Sequence, residues 1–138
     1  MNKKNYLIIG SIAVIFIITI IIILTSQNKN NWTHEVINAQ NYQISMLDCN
    51  GREKTLDKNT INTISEKWGE LSNNGPWTGN NNACYTTITI SYETNGIINT
   101  KEILIIDNTS IAFIEATDSI YYTNANDIIS HLNTLFSK

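Results

Sequence analysis

Residues 85–106 read YTTITISYETNGIINTKEILII. Over Tyr85–Glu93 the apolar side chains fall on every second position. Ile88, Ile90 and Tyr92 share one face, and Thr87, Thr89 and Ser91 share the other. A period of two is the signature of a half-buried strand, because successive side chains of an extended chain point to opposite sides. Asn95-Gly96 follows, the residue pair that suits a type I′ hairpin turn. Ile97 to Ile106 then returns, and its end, Ile103-Leu104-Ile105-Ile106, is apolar on both faces. Such a run predicts a central strand covered on both sides.

The same reasoning extends in both directions. Downstream, Asp107-Asn108-Thr109-Ser110 is a turn, Ile111–Ala116 a strand, and Ile120-Tyr121-Tyr122 a short last strand. A terminal helix follows, with Asn124 as its expected cap and Ile128, Ile129, Leu132, Leu135 and Phe136 as its buried stripe. Upstream, Tyr42–Cys49 alternates and meets Asn50-Gly51, a second predicted type I′ turn, before a return over Arg52–Leu56. Ile61, Ile64, Trp68 and Leu71 are spaced three, four and three apart, one stripe of a helix that Asp57 or Asn59 can cap. Asn73–Asn82 is rich in Asn and Gly and reads as a loop with one large side chain, Trp77. The expected architecture is α+β, an antiparallel sheet built from a hairpin and a meander, with two packed helices.

The first thirty residues differ in kind. No charged side chain occurs between Asn5 and Asn28, and Tyr6–Leu24 is almost wholly apolar. Nineteen helical residues span roughly 28 Å, close to the thickness of a bilayer's hydrocarbon core. The expected organisation is a cytoplasmic stub (1–5), a transmembrane anchor helix (6–25), a linker (26–31) and an extracytoplasmic domain (32–138). Lys3 and Lys4 precede the apolar run, which favours a cytoplasmic N-terminus. Tyr6 and Trp32 bracket it where interfacial aromatic residues are expected. The run is too long for an ordinary signal peptide, and no A-x-A cleavage site follows it.

Of nine basic residues three lie before Trp32, whereas all twelve acidic residues lie after it. The exported domain is therefore acidic, which argues against nucleic acid as a partner and for a basic one. Cys49 and Cys84 are the two cysteines, and in an oxidising compartment they read as one disulfide worth about 3–4 kcal/mol.

Motifs for catalysis are missing from the sequence. The two histidines, His34 and His131, have no Cys or carboxylate at ligand spacing, and His131 reads as a solvated helix residue. There is no G-x-S-x-G and no phosphate loop, so no metal, nucleotide or other cofactor is expected. Asp48-Cys49-Asn50-Gly51 lacks the alternating acids of a calcium loop. Asp48 with Glu53, and Asp107, Glu102, Glu115 and Asp118, are the carboxylates available for acid–base work, with solvated turn residues as the simpler reading. Trp77, Tyr121 and Tyr122 are the binding candidates, since exposed aromatic residues anchor partners and stack on sugars. One of the two tyrosines is expected to face the core and the other to face out. The leading expectation is a membrane-anchored, non-catalytic module that engages or neutralises a protein of the envelope. The alternatives are a glycan-binding or glycan-hydrolysing protein using Trp77 and carboxylates, and a structural subunit of a membrane complex.

Overall fold

The computed structural model describes residues 15, 17, 31–79, 83–116 and 118–136. The chain divides into two compact units, 1–31 and 32–138. Of the expected anchor, only Ile15 and Ile17 are described, both helical, and Tyr6 lies outside the described residues. Among the described residues no helix is long and apolar enough to cross a membrane.

The second unit is an α+β domain. Helix α1 (Asn31–Asn38) leads into strands β1 (Tyr42–Leu47) and β2 (Glu53–Leu56) and helix α2 (Lys58–Trp68). Strands β3 (Ser72–Pro76), β4 (Thr86–Thr94), β5 (Ile97–Ile105), β6 (Ile111–Glu115) and β7 (Asp118–Thr123) follow, and helix α3 (Asn126–Phe136) closes the domain. All seven strands form one antiparallel sheet in the order β2-β1-β4-β5-β6-β7-β3, so β5 is its central strand.

The register explains the core. Ile44 lies opposite Ile90, Met46 opposite Ile88, Ile88 opposite Ile103, and Ile103 opposite Phe113. These side chains share one sheet face, and all three helices cover it with Trp32 and Val36, Ile61, Ile64 and Trp68, and Ile128, Ile129 and Leu132. Trp32, Trp68 and Phe113 meet with ring centroids 5.1–5.2 Å apart, and Tyr122 joins Trp68 at 5.4 Å. Trp32, expected at the membrane interface, is thus only 7% exposed and belongs to the domain core. Burying an indole against two aromatic rings outweighs an interfacial position, since such pairs add about 0.5–1.5 kcal/mol beyond the area they bury.

Asp57 caps α2 by accepting the Thr60 N–H, and Gly69 ends it. Asn95 and Gly96 both take positive φ, 53° and 76°, as the type I′ turn requires. The first hairpin differs from expectation. Leu47 pairs with Glu53, and Asp48 N–H bonds to the Arg52 carbonyl while Gly51 N–H bonds to that of Asp48. Only Gly51 has positive φ there. The loop therefore holds three residues, Cys49, Asn50 and a left-handed Gly51, a longer turn than type I′. The Asp48 carboxylate selects it by accepting the N–H groups of both Asn50 and Arg52. Nor does Asn124 cap α3. It sits in the left-handed region (φ 62°) and donates to Ser72 Oγ, while the Ala125 carbonyl accepts the helix's first N–H, from Ile129.

Two elements depart from the sequence pattern. Helix α1 occupies the start of the expected domain, and β3 runs through the expected loop. The strand forms because it is an edge, where Pro76 loses no ladder bond, and because a register shift between Asn73 and Pro76 accommodates Gly75 at φ 90°.

The disulfide joins Cys49, at the β1–β2 hairpin tip, to Cys84, just before β4, with Cα atoms 5.6 Å apart. A disulfide in a small domain marks an oxidising, extracytoplasmic setting.

Candidate functional site

The sheet face away from the helices is open. Three rows cross it: Leu47, Thr87, Leu104, Ala112 and Tyr121; Ser45, Thr89, Glu102, Ile114 and Ser119; and Gln43, Ser91 and Thr100. Short hydroxyl side chains dominate, and Glu53, Glu93 and Glu102 are its carboxylates. No Lys or Arg belongs to these rows. Leu104 (8%) and Ala112 (0%) are buried although they lie outside the helix-side core.

An aromatic corner lies at the same end of this face, where Tyr121 is the register partner of Ala112. Trp77 continues β3 by donating its N–H to the Ser119 carbonyl at 3.1 Å, and the Ser119 hydroxyl donates back to the Trp77 carbonyl. That pairing puts Trp77 on the face of Ser119 and Tyr121. The Trp77 ring meets Tyr85 edge-on at 5.7 Å, and it lies so close to Gly79 that a Cβ there would overlap it. Trp77 and Tyr121 line one groove of about 280 Å3 with Pro76, Thr78 and Gly79. Tyr122 points the other way, into the helix-side core against Trp68. Burial raises its hydroxyl pKa above the usual tyrosine value. The three predicted aromatic residues therefore split, two to a surface groove and one to the core.

A larger cleft, about 540 Å3, lies between the C-terminal end of α1 and the β4–β5 turn. Its walls include His34, Glu35, Asn38, Asn41, Glu93 and Asn95. Tyr92 donates its hydroxyl to Glu35 at 2.7 Å, and Asn41 donates its amide to Glu93 at 2.9 Å. Burial, then that hydrogen bond, push the Tyr92 hydroxyl well above the usual tyrosine range. The hairpin that forms one wall ends in Ile97 and Ile98, 65% and 75% exposed. Sequence reasoning missed this cleft because its residues come from α1, an unexpected helix, and from a turn 60 positions away.

The carboxylates offered for acid–base chemistry do not converge. Asp107 accepts the Thr109 N–H at 2.7 Å and the Thr109 hydroxyl, which holds it below the usual carboxylate range. Glu115, at the far end of β6, pairs with Lys101, a side chain only 7% exposed. Burial lowers the Lys101 pKa, and the charge of Glu35 offsets part of that effect. Glu102 lies on the opposite sheet face from that pair. Asp48 is fully engaged at its hairpin, bound by Asn50 and by the Arg52 guanidinium at 2.6 Å. Among the described residues no group of three His, Cys, Asp or Glu side chains is placed to hold a metal ion. His34 is exposed beside Asn38. His131, expected to be solvated, is half-buried, with Nε2 shielded and unpartnered.

Among the described residues every Lys and Arg side chain is occupied. Arg52 bonds Asp48 and covers the Phe136 ring, and Lys54 donates to the Leu135 carbonyl. Lys58 donates to the carbonyls of Ile37 and Ala39 and lies over the Tyr42 ring. Lys67 pairs with Glu70 and Asp127, and Lys101 with Glu115. By contrast, among the described residues Glu53, Glu66, Glu102 and Asp118 have no hydrogen-bonding or ionic partner for their carboxylates.

Comparison with known proteins returns no match: no family model, no curated protein and no solved structure aligns with this chain.

Proposed function

We propose that this protein is a non-catalytic binding module, held at the outer side of a membrane by the apolar segment 6–25, which engages a basic protein of the envelope or an exported one. The observation that carries this reading is the asymmetry of charge use. Every described basic side chain of the domain is tied to a partner within it, and four carboxylates are not. The outward field is therefore negative, and such a field steers and selects a positive partner. The uncovered sheet face offers the area. For the anchor, Ile15 and Ile17 are large apolar side chains, helical and 65% and 56% exposed, in a run without charges.

The test is affinity capture of the C-terminally tagged full chain from native host membranes in neutral detergent. The expected result is a stoichiometric basic protein that co-purifies at low ionic strength and is lost at high salt. An acidic partner, or capture indifferent to salt, contradicts the proposal.

One observation favours a second reading, a glycan-binding face without hydrolysis. Trp77 and Tyr121 line a single groove, the kind of surface on which a sugar ring stacks. Retention on envelope polysaccharide that disappears in Trp77→Ala would support it over the first.

A further inference from the structure

We infer that the end of the β4–β5 hairpin is where the partner docks, with exposed Ile98 taking an apolar side chain and the neighbouring cleft, at Glu93, taking a lysine or arginine side chain of a basic segment. This rests on the reading of the protein as a receptor for a basic partner.

Two independent features coincide there. The first is apolar. In the domain Ile98 and Ile97 are the most exposed large hydrophobic side chains, at 75% and 65%. The type I′ turn, with Asn95 and Gly96 both at positive φ, places them at the end of the long hairpin on opposite faces, Ile97 beside Thr94 and Ile98 beside Glu93. A large exposed apolar side chain on a paired strand suits an interface, because its backbone is already ordered before docking. The second is the adjoining cleft. Among the described residues it is lined by two carboxylates, Glu35 and Glu93, and by no Lys or Arg. Glu35 accepts the Tyr92 hydroxyl and already acts on the charge of Lys101, whereas Glu93 is held by a neutral donor, the Asn41 amide. Glu93, fixed in advance, accepts a cationic side chain without first being ordered, and Asn38, Gln40 and Asn95 add amide groups to the same walls. Glu93 lies opposite Ile98 in the hairpin, so charge recognition and apolar contact are neighbours.

The experiment is fluorescence anisotropy with the full chain in neutral detergent. The probe is a labelled peptide alternating leucine and lysine, beside its leucine–glutamate counterpart. Glu93→Gln and Ile98→Ser are each expected to weaken the leucine–lysine peptide at least about fivefold. Glu102→Gln removes the same charge from the open face away from the cleft, and is expected to change binding less than about twofold. If Glu102→Gln weakens binding as much as Glu93→Gln, the peptide reads only the general acidic field. The docking site is then wrong, while the basic-partner reading survives. Should the wild-type chain bind the glutamate peptide as well as the lysine peptide, the basic-partner reading fails and the docking site fails with it.

Discussion

The two faces of the sheet are made from the same strands and behave oppositely. On β4, Ile88, Ile90 and Tyr92 are at most 2% exposed under the helices, while Thr87, Thr89 and Ser91 between them stay partly open. The covered face sets the fold, because apolar area removed from water is worth roughly 25 cal/mol per Å2. The open face contributes little to that sum. Its hydroxyls and carboxylates are free to be chosen for something other than stability. On the open face Leu104 and Ala112 are nevertheless buried, at the end where Trp77 meets Tyr85 and Tyr121 pairs with Ala112.

The two faces are expected to respond very differently to truncation. Ile103→Ala on the covered face is expected to cost about 3–4 kcal/mol, since it leaves a cavity in the central strand. Thr89→Ala, on the neighbouring strand but the open face, is expected to cost less than about 1 kcal/mol. Urea unfolding of both variants checks this, and equal losses would mean that the open face is covered. Replacing Cys49 and Cys84 together by serine is expected to cost about 3 kcal/mol, by releasing a loop that spans 35 positions. The helix-side core should survive that change, so near-ultraviolet dichroism from Trp32 and Trp68 is retained in the folded variant. A smaller effect of opposite sign is expected at Ala116, which holds φ 48° in the β6–β7 hairpin. Ala116→Gly should stabilise by about 1 kcal/mol, because glycine takes that conformation without a Cβ clash.

Acid acts on a third set of groups, since the structural carboxylates lie in turns and a cap rather than on the open face. Burial works against ionisation of Asp48, and the N–H bonds from Arg52 and Asn50 together with the guanidinium outweigh it. The Thr60 N–H lowers Asp57, and the Thr109 N–H lowers Asp107. All three hold folded values below the ordinary 3.8. Each therefore contributes stability that is present above about pH 4 and is lost as pH falls through its folded value. Urea midpoints should be level from pH 7 to 5 and lower at pH 3. A midpoint unchanged at pH 3 would show that these bonds add nothing net.

Much of this fold was legible in the sequence, and for identifiable reasons. The period of two over Tyr85–Glu93 and the apolar run at Ile103–Ile106 placed β4 and the central β5. The Ile61, Ile64, Trp68 stripe gave α2, and Asn95-Gly96 gave its turn. The disulfide followed from two cysteines. What stayed hidden depended on tertiary context. Ser72–Pro76 has the composition of a loop and becomes a strand only because β7 offers it an edge. Helix α1 is eight residues long, too short to be stable alone, and forms because Trp32 and Val36 have a core to enter. Of the candidate site, the pairing of Trp77 with Tyr121 depended on β3 and so could not be read. The cleft at the β4–β5 end depended on α1.

The most direct measurement is site-specific photo-crosslinking in native membranes. The full chain would carry the photoreactive residue at position 98, at the end of the β4–β5 hairpin, or at position 62 on the exposed side of α2. One basic protein is expected to crosslink from 98 and not from 62. Crosslinking from 62 alone would place the partner on the helices and contradict this expectation.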